Sequence, residues 1–125
     1  YLVSDCAAAW SWCYLEKISE LGDLAESWDS HGAQPIDPRC AMTAAVIILN
    51  FLDCRTPAPA IVPTTCGGIQ FEWHRAGADL EIEIKSPIRV EVFFEDRRTG
   101  KVQEFALSVH FARLLPLLHR IAQAH

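Results

Sequence analysis

The sequence lacks the features that most directly assign a chain to a membrane, nucleotide-binding or nucleic-acid-binding class. Its longest apolar run, residues 44–49, is far shorter than the roughly 20 residues that a membrane-spanning helix needs. It contains neither G-x-x-x-x-G-K-[S/T] nor G-x-G-x-x-G, so no phosphate-binding loop is predicted. Basic residues form no cluster and the net charge is −5, which argues against binding to nucleic acid or to an anionic membrane surface.

The cysteines suit neither a disulfide framework nor a zinc site, because their number is odd and no C-x-x-C pair occurs. The five are Cys6, Cys13, Cys40, Cys54 and Cys66. We therefore predict unpaired thiols, no metal, no cofactor and a reducing compartment, most simply the bacterial cytoplasm. Residues 1–15 also include Asp5 and lack a basic start, so they do not resemble a signal peptide.

Length and composition predict one folded domain. The 125 residues are 50% hydrophobic and 22% charged, which is a globular composition. The hydrophobic period divides the chain into a helical part at 1–53, an antiparallel sheet at 60–107 and a C-terminal helix at 108–125. We predict an α+β fold with two N-terminal helices, a meander of four to five strands and the helices on one face of the sheet.

The helical segments follow from apolar stripes and start signals. Asp37 followed by Pro38 predicts the start of a second helix, which runs to Leu52 and is apolar nearly all round, as expected of a buried central helix. Pro116 predicts that the last helix either begins near Arg113 or kinks. The first helix has one stripe, which Gly22 weakens or ends: Trp10, Tyr14, Ile18, Leu21, Ala25 and Trp28.

Alternating apolar and polar residues predict strands with one buried and one solvent-facing side. We predict that the strands are joined by loops at 75–78, 85–87 and 97–100, because these positions give a register in which apolar residues lie opposite apolar residues. A short edge strand at Ile61 and Val62 is also expected, because Pro63 suits an edge. The expected cross-strand pairs include Glu72–Glu81, Trp73–Leu80, Ile82–Val90, Glu81–Glu91, Glu83–Arg89 and Val92–Phe105.

The solvent-facing side of the predicted sheet is strongly acidic. In the expected register Glu72, Glu81 and Glu91 lie side by side on three neighbouring strands. Like charges directly opposite each other destabilise a sheet, so this row is unusual. The row is interpreted as a solvated surface, as a docking surface for a basic protein, or as a divalent-metal site that a flat strand face would enclose poorly. The residues predicted to bind a partner are Glu72, Glu81, Glu83, Arg89, Glu91 and Phe93.

Two shorter patterns could carry chemistry. Asp29 and His31 lie in a turn at 28–35, where Asp29 could instead cap backbone N–H groups while Trp28 anchors the turn. Glu72 and His74 share the solvent-facing side about 7 Å apart. Together these residues define the alternative hypothesis, a small metal-dependent hydrolase that uses Asp29, His31, Glu72 and His74.

The turn W-D-S-H-G-A-Q-P-I at 28–36 and the blocks V-P-T-T-C-G-G-I-Q-F-E-W-H at 62–74 and D-L-E-I-E-I at 79–84 resemble those of a group of small bacterial proteins with no established activity. The resemblance extends over residues 20–122. It implies the fold and a bacterial origin, and it carries over no activity. The position of His31 is often aromatic in that pattern, which argues against His31 as a ligand.

We therefore expect a non-enzymatic protein-interaction module, antitoxin-like or immunity-like, that presents an acidic sheet face to a basic protein partner. A hydrolase would need a concave pocket that joins the 28–35 turn to the sheet, whereas a binder needs only a flat or convex acidic surface. Neither nucleic acid nor a membrane is an expected partner. The sequence leaves the oligomeric state open.

Overall fold

The computed structural model describes residues 5–108 and 110–123, and its architecture confirms the predicted α+β fold. The antiparallel sheet has five strands in sequential order, β1 to β5. In chain order the elements are α1 (Asp5–Gly22), α2 (Pro38–Phe51), β1 (Ala60–Pro63), β2 (Ile69–Arg75), β3 (Ala78–Ser86), β4 (Arg89–Asp96), β5 (Lys101–Leu107), a 3₁₀ turn (Phe111–Arg113) and α3 (Leu114–Ala122).

Most of the predicted strand pairing is confirmed. The β2–β3 hairpin pairs Glu72 with Glu81, and the β4–β5 hairpin pairs Val92 with Phe105. The expected edge strand is present as β1, which ends at Pro63 and pairs only with β2. Edge placement suits this proline, because a proline has no N–H to donate to a strand on its other side.

The predicted register between β3 and β4 is wrong by two residues. Ile82 pairs with Val92 instead of Val90, and Glu81 lies opposite Phe93 instead of Glu91. The chain turns at residues 87–88, one residue later than expected, and a register irregularity lies between Ile84 and Ser86. A shift of two residues leaves every side chain on the same face, so the hydrophobic alternation cannot distinguish the two registers.

Three consequences of this register correct expectations from the sequence. Glu72, Glu81 and Glu91 do not form one row, because Phe93 occupies the place expected for Glu91. Glu83 pairs with Glu91 and not with Arg89, which pairs with Ser86. Ile88 alternates with Val90 and Val92, which predicts the buried side of the strand, but it lies in the turn and is 73% exposed.

The core lies between the sheet and the helices, which pack on one side of it, here called the inner face. Phe71, Trp73, Ile82 and Val90 share this core as predicted, and the partly buried Phe105 packs against it. The opposite side, here called the outer face, carries the alternate residues of the strands. Among the described residues, the helices cover the inner face and leave the outer face uncovered.

The second helix is not buried all round, in contrast to the expectation. Its side towards the sheet is buried at Cys40, Ala44, Ile47 and Ile48, but Met42 is 68% exposed and Leu49 is 58% exposed. The helices of the described residues form one layer on the sheet, so the far side of α2 faces solvent. No helix among the described residues is long and apolar enough to cross a membrane.

The predicted helix ends are confirmed where a side chain sets them. Asp37 is the N-cap of α2, and its carboxylate accepts from the Arg39 backbone N–H at 2.9 Å. The last helix, α3, begins at Leu114, close to the predicted start near Arg113, and Pro116 lies in its first turn. The first turn tolerates proline because its backbone N–H groups have no partner within the helix.

Arg120 of α3 holds the two hairpin turns at one end of the sheet. Its Nε lies 3.0 Å from Oδ2 of Asp96, and its Nη2 donates to the Ala76 carbonyl oxygen at 2.8 Å. Both charged side chains are mostly buried. The guanidinium therefore joins the β2–β3 turn, the end of β4 and α3 into one unit.

Candidate functional site

The outer face of the sheet brings the predicted binding residues together in two adjacent rows. Across β2 to β5, one row runs Glu72, Glu81, Phe93 and Glu104. The neighbouring row runs Gln70, Glu83, Glu91 and Ala106. Because alternate residues of a strand share a face, these side chains form one continuous surface.

A hollow of about 480 Å³ opens on this surface around Phe93. Phe93 itself is half-buried, so its ring is partly accessible. Among the residues that line the hollow are Glu81, Glu83, Arg89, Glu91 and Phe93, which are five of the six predicted binding residues. The sixth, Glu72, lies directly opposite Glu81 on the next strand.

Glu91 is the one glutamate of the hollow whose charge is offset by two cations. Lys85 Nζ lies 3.0 Å from Oε1, and Arg89 Nη2 lies 2.8 Å from Oε2. Hydrogen bonds from Lys85 and then from Arg89 hold the pKa of Glu91 below its usual range. Glu91 is therefore part of a local ion-pair network and is a weak candidate for contact with a basic partner.

Glu72, Glu81 and Glu104 differ from Glu91, because none of the ion pairs among the described residues includes them. Gln70 donates to Oε1 of Glu72 at 3.0 Å, which satisfies one oxygen without offsetting the charge. Glu72 and Glu81 are directly opposite each other, so their charges repel. The three carboxylates of this row therefore carry negative charge that no ion pair among the described residues offsets.

His74 lies at the end of this surface and is held by a carboxylate. Its Nδ1 is 2.8 Å from Oδ1 of Asp79, the residue opposite it on β3. The other oxygen of Asp79 accepts from the Arg97 guanidinium. That hydrogen bond, followed by the one from His74, holds the pKa of Asp79 below its usual range, so Asp79 is ionised near neutral pH.

Glu72, His74 and Glu81 form a cluster whose side chains could hold a metal ion. One nitrogen or oxygen atom from each of the three lies within 4.8 Å of the others. His74 is exposed and the two glutamates are half-buried. The cluster arises because Glu72 and His74 alternate along β2 while Glu81 pairs with Glu72.

Asp29 and His31 are in a different part of the molecule. The Asp29 carboxylate accepts from the backbone N–H of His31 at 2.8 Å and of Ala33 at 3.0 Å, and Trp28 Nε1 donates to the Gln34 carbonyl oxygen at 3.0 Å. Asp29 thus caps backbone N–H groups of the turn, which the sequence predicted as the alternative to a chemical role.

The turn is tied to the loop before β2, far from His74. Gln34 N–H donates to the Thr65 carbonyl oxygen at 2.9 Å, and Asp37 N–H donates to that of Gly67 at 2.8 Å. His74 lies five residues beyond the start of β2, about 16 Å further along the strand. The four residues of the hydrolase hypothesis thus fall into two separate pairs, Asp29 with His31 and Glu72 with His74.

Comparison with protein families, with curated proteins and with solved structures finds no match to this chain. The resemblance to small bacterial proteins stays a prediction.

Several residues of the outer face were not predicted as site residues from the sequence, and Glu104, which lines the hollow, is one of them. Gln70 borders the hollow, Asp79 orients His74, and Arg97 fixes Asp79. Asp79 could have been found, because the correctly predicted β2–β3 register already places it opposite His74. Lys85 and Arg97 were also overlooked as cations of this face, since both lie at strand ends where the alternation is weakest.

Proposed function

We propose that this chain is a protein-interaction module of the bacterial cytoplasm that binds a basic segment of a partner protein on its outer face. The observation that carries the proposal is the row of Glu72, Glu81 and Glu104 around Phe93, which lacks a cationic partner among the described residues. An antitoxin-like or immunity-like role, in which an acidic protein covers a basic one, fits such a face.

Charge complementarity argues for an arginine or lysine of the partner as the group that occupies the hollow. Glu81 and Glu104 flank Phe93 on the two neighbouring strands. A guanidinium can stack on an aromatic ring while its N–H groups bind carboxylates on either side. Such a contact would also relieve the repulsion between Glu72 and Glu81.

The hydrolase alternative has less support. The Asp29 carboxylate accepts hydrogen bonds from two backbone N–H groups of its own turn. That turn is hydrogen-bonded to the loop before β2, at the opposite end of the strand from His74. Because the Asp29 and His31 pair is separated from the Glu72 and His74 pair, the four side chains do not converge on one substrate atom. Only the Glu72 and His74 half of that hypothesis lies on the outer face.

The test measures association with a peptide of alternating Arg and Ser, with an Asp–Ser peptide as the opposite-charge control, in the presence of a chelator. The double variant Glu81→Gln/Glu104→Gln removes two charges from the row. The matched control Glu20→Gln/Glu26→Gln removes two exposed charges from α1 and the turn after it. Surface plasmon resonance at several salt concentrations gives the association and dissociation rates.

We expect the Glu81→Gln/Glu104→Gln protein to associate about tenfold more slowly at low salt and with a weaker salt dependence. The control variant should stay close to the original protein, and Phe93→Ala should mainly speed dissociation. Equal losses in both double variants would show a general charge effect and would contradict a specific face. Absence of binding to the Arg–Ser peptide at low salt would overturn the proposal.

A further inference from the structure

The Glu72, His74 and Glu81 cluster combines three side chains that are all metal ligands in proteins. The ligand atoms lie within 4.8 Å of one another on two paired strands, which hold the three Cα positions fixed. The set contains one imidazole and two carboxylates. This mixed nitrogen and oxygen set suits Zn²⁺ and similar transition metals better than Mg²⁺ or Ca²⁺, which prefer oxygen ligands only.

The hydrogen bond between His74 and Asp79 determines which nitrogen of the imidazole is free. A carboxylate can only accept, so Nδ1 of His74, at 2.8 Å from Asp79 Oδ1, must carry the hydrogen. In the neutral ring Nε2 then keeps its lone pair. Metal-bound histidines almost always donate their second ring N–H to a carboxylate or carbonyl in this way.

Asp79 is itself fixed and is not one of the three ligands. Its second oxygen accepts from Arg97, so the carboxylate is held from both sides. Arg97, Asp79 and His74 thus form a hydrogen-bonded chain that ends at the cluster. The hydrogen bond to Asp79 occupies Nδ1 and leaves Nε2 as the ring nitrogen of His74 that is available to a metal ion.

We propose that Glu72, His74 and Glu81 bind a divalent transition-metal ion such as Zn²⁺, with Asp79 as the residue that orients His74. The ion would offset the charges of Glu72 and Glu81, which have no cationic partner among the described residues. Zn²⁺ binds nitrogen and oxygen at about 2.0–2.2 Å, so one ion can bridge ligand atoms that already lie within 4.8 Å of one another after small side-chain rotations. Water or a side chain of a partner would supply the remaining ligands, because His74 is exposed.

The first experiment titrates the full chain with ZnCl₂, and separately with MgCl₂, by isothermal calorimetry in a buffer that does not chelate. We expect Zn²⁺ to bind at this site and Mg²⁺ to give no signal. His74→Ala and Glu81→Gln should each weaken Zn²⁺ binding at least tenfold. Glu83→Gln is the matched control, because it makes the same charge change two residues along the same strand and outside the cluster.

The second experiment uses the ¹⁵N chemical shifts of the histidine rings, which identify the nitrogen that carries hydrogen and the nitrogen that binds metal. We expect Nδ1–H at His74 before Zn²⁺ is added, and a shift of its Nε2 afterwards. Asp79→Asn should weaken Zn²⁺ binding about 10–100-fold and change the tautomer of His74. A merely structural role of Asp79 would leave the tautomer of a folded variant unchanged.

Circular dichroism checks that each variant is folded, and His74→Ala is expected to fold because its side chain is exposed. The proposal is overturned if Glu83→Gln weakens binding as much as Glu81→Gln. It is also overturned if Zn²⁺ shifts Nδ1 of His74 or leaves the His74 signals in place. The site does not rest on the docking proposal, whose peptide experiment is run with a chelator present.

Discussion

Trp73 connects the sheet to the segment between α2 and β1. Its Nε1 donates to the Pro57 carbonyl oxygen at 2.7 Å, its ring makes an edge contact with Phe71 at 6.3 Å, and the residue is only 2% exposed. Burial of the ring and satisfaction of its one polar atom occur together, which is the condition under which tryptophan stabilises a core.

Replacing Trp73 with Ala should lower the free energy of unfolding by about 3–5 kcal/mol, because it leaves a large cavity and an unpaired carbonyl. Trp12→Ala is the matched control. Trp12 is 64% exposed on α1, so its loss should cost no more than about 0.5 kcal/mol. Urea unfolding followed by circular dichroism measures both values, and similar costs at the two positions would contradict the described core.

Asp96 makes stability depend on pH through its contact with Arg120. The hydrogen bond from the Arg120 side chain holds the pKa of Asp96 below its usual range. A carboxyl group with a lowered pKa in the folded state stabilises the fold above its unfolded pKa, and this contribution is lost as pH falls through the folded pKa.

Asp96→Asn should therefore remove part of the acid sensitivity of the protein. We expect the original protein to exceed Asp96→Asn in melting temperature by a constant amount above about pH 5, and this difference to shrink as pH falls below about 4. Calorimetry over this pH range measures it. A difference that widens towards low pH would mean that Asp96 is not paired with Arg120 in solution.

At the scale of secondary structure elements, the β3–β4 hairpin decides the composition of the outer face. Glu81 has Glu72 on one side and Phe93 on the other, whereas the register expected from sequence would place it between two glutamates. Glu91 pairs instead with Glu83 and has Lys85 and Arg89 close by. The two glutamates therefore respond differently to a reversal of charge.

Glu81→Lys should raise the free energy of unfolding by about 0.2–1 kcal/mol, because it replaces the repulsion from Glu72 with an attraction. Glu91→Lys should lower the stability, because Lys85 and Arg89 would then face a third cation. Urea midpoints of the two variants test the register directly. Stabilisation by both substitutions would favour the register in which Glu72, Glu81 and Glu91 lie in one row.

At the scale of the whole molecule, the packing of the elements sets which thiols are exposed to solvent. Cys13, Cys54 and Cys66 are exposed and Cys40 is buried, and all four are free, while the side chain of Cys6 is outside the described part of the chain. Burial raises the pKa of the Cys40 thiol, which lowers its fraction of reactive thiolate.

Titration of the denatured protein without reductant should therefore count five thiols. In the native protein, a thiol reagent should modify Cys13, Cys54 and Cys66 first, and Cys40 only at the rate at which the fold opens. Mass spectrometry of the partly modified protein assigns the order. Rapid modification of Cys40 would contradict the packing of α2, and a count of three would indicate a disulfide.

Local signals were sufficient for several parts of this structure. Asp37 and Pro38 determine the start of α2, and the alternation of residues 69–84 determines which side chains enter the core. Both effects act over a few residues, through a cap or through the two-residue period of a strand. The fold class could therefore be predicted from the sequence, and five of the six predicted binding residues do line the hollow.

Only the tertiary structure decided which of these residues are neighbours. The β3–β4 register depends on where the chain turns near Pro87, and the hydrophobic period is the same for both choices. The pairing of Glu91 with Lys85, the exposure of Met42 and the distance between His31 and His74 all depend on how elements pack. Sequence determined the inner and outer faces of the sheet, while the packed fold determined which charges on the outer face have partners.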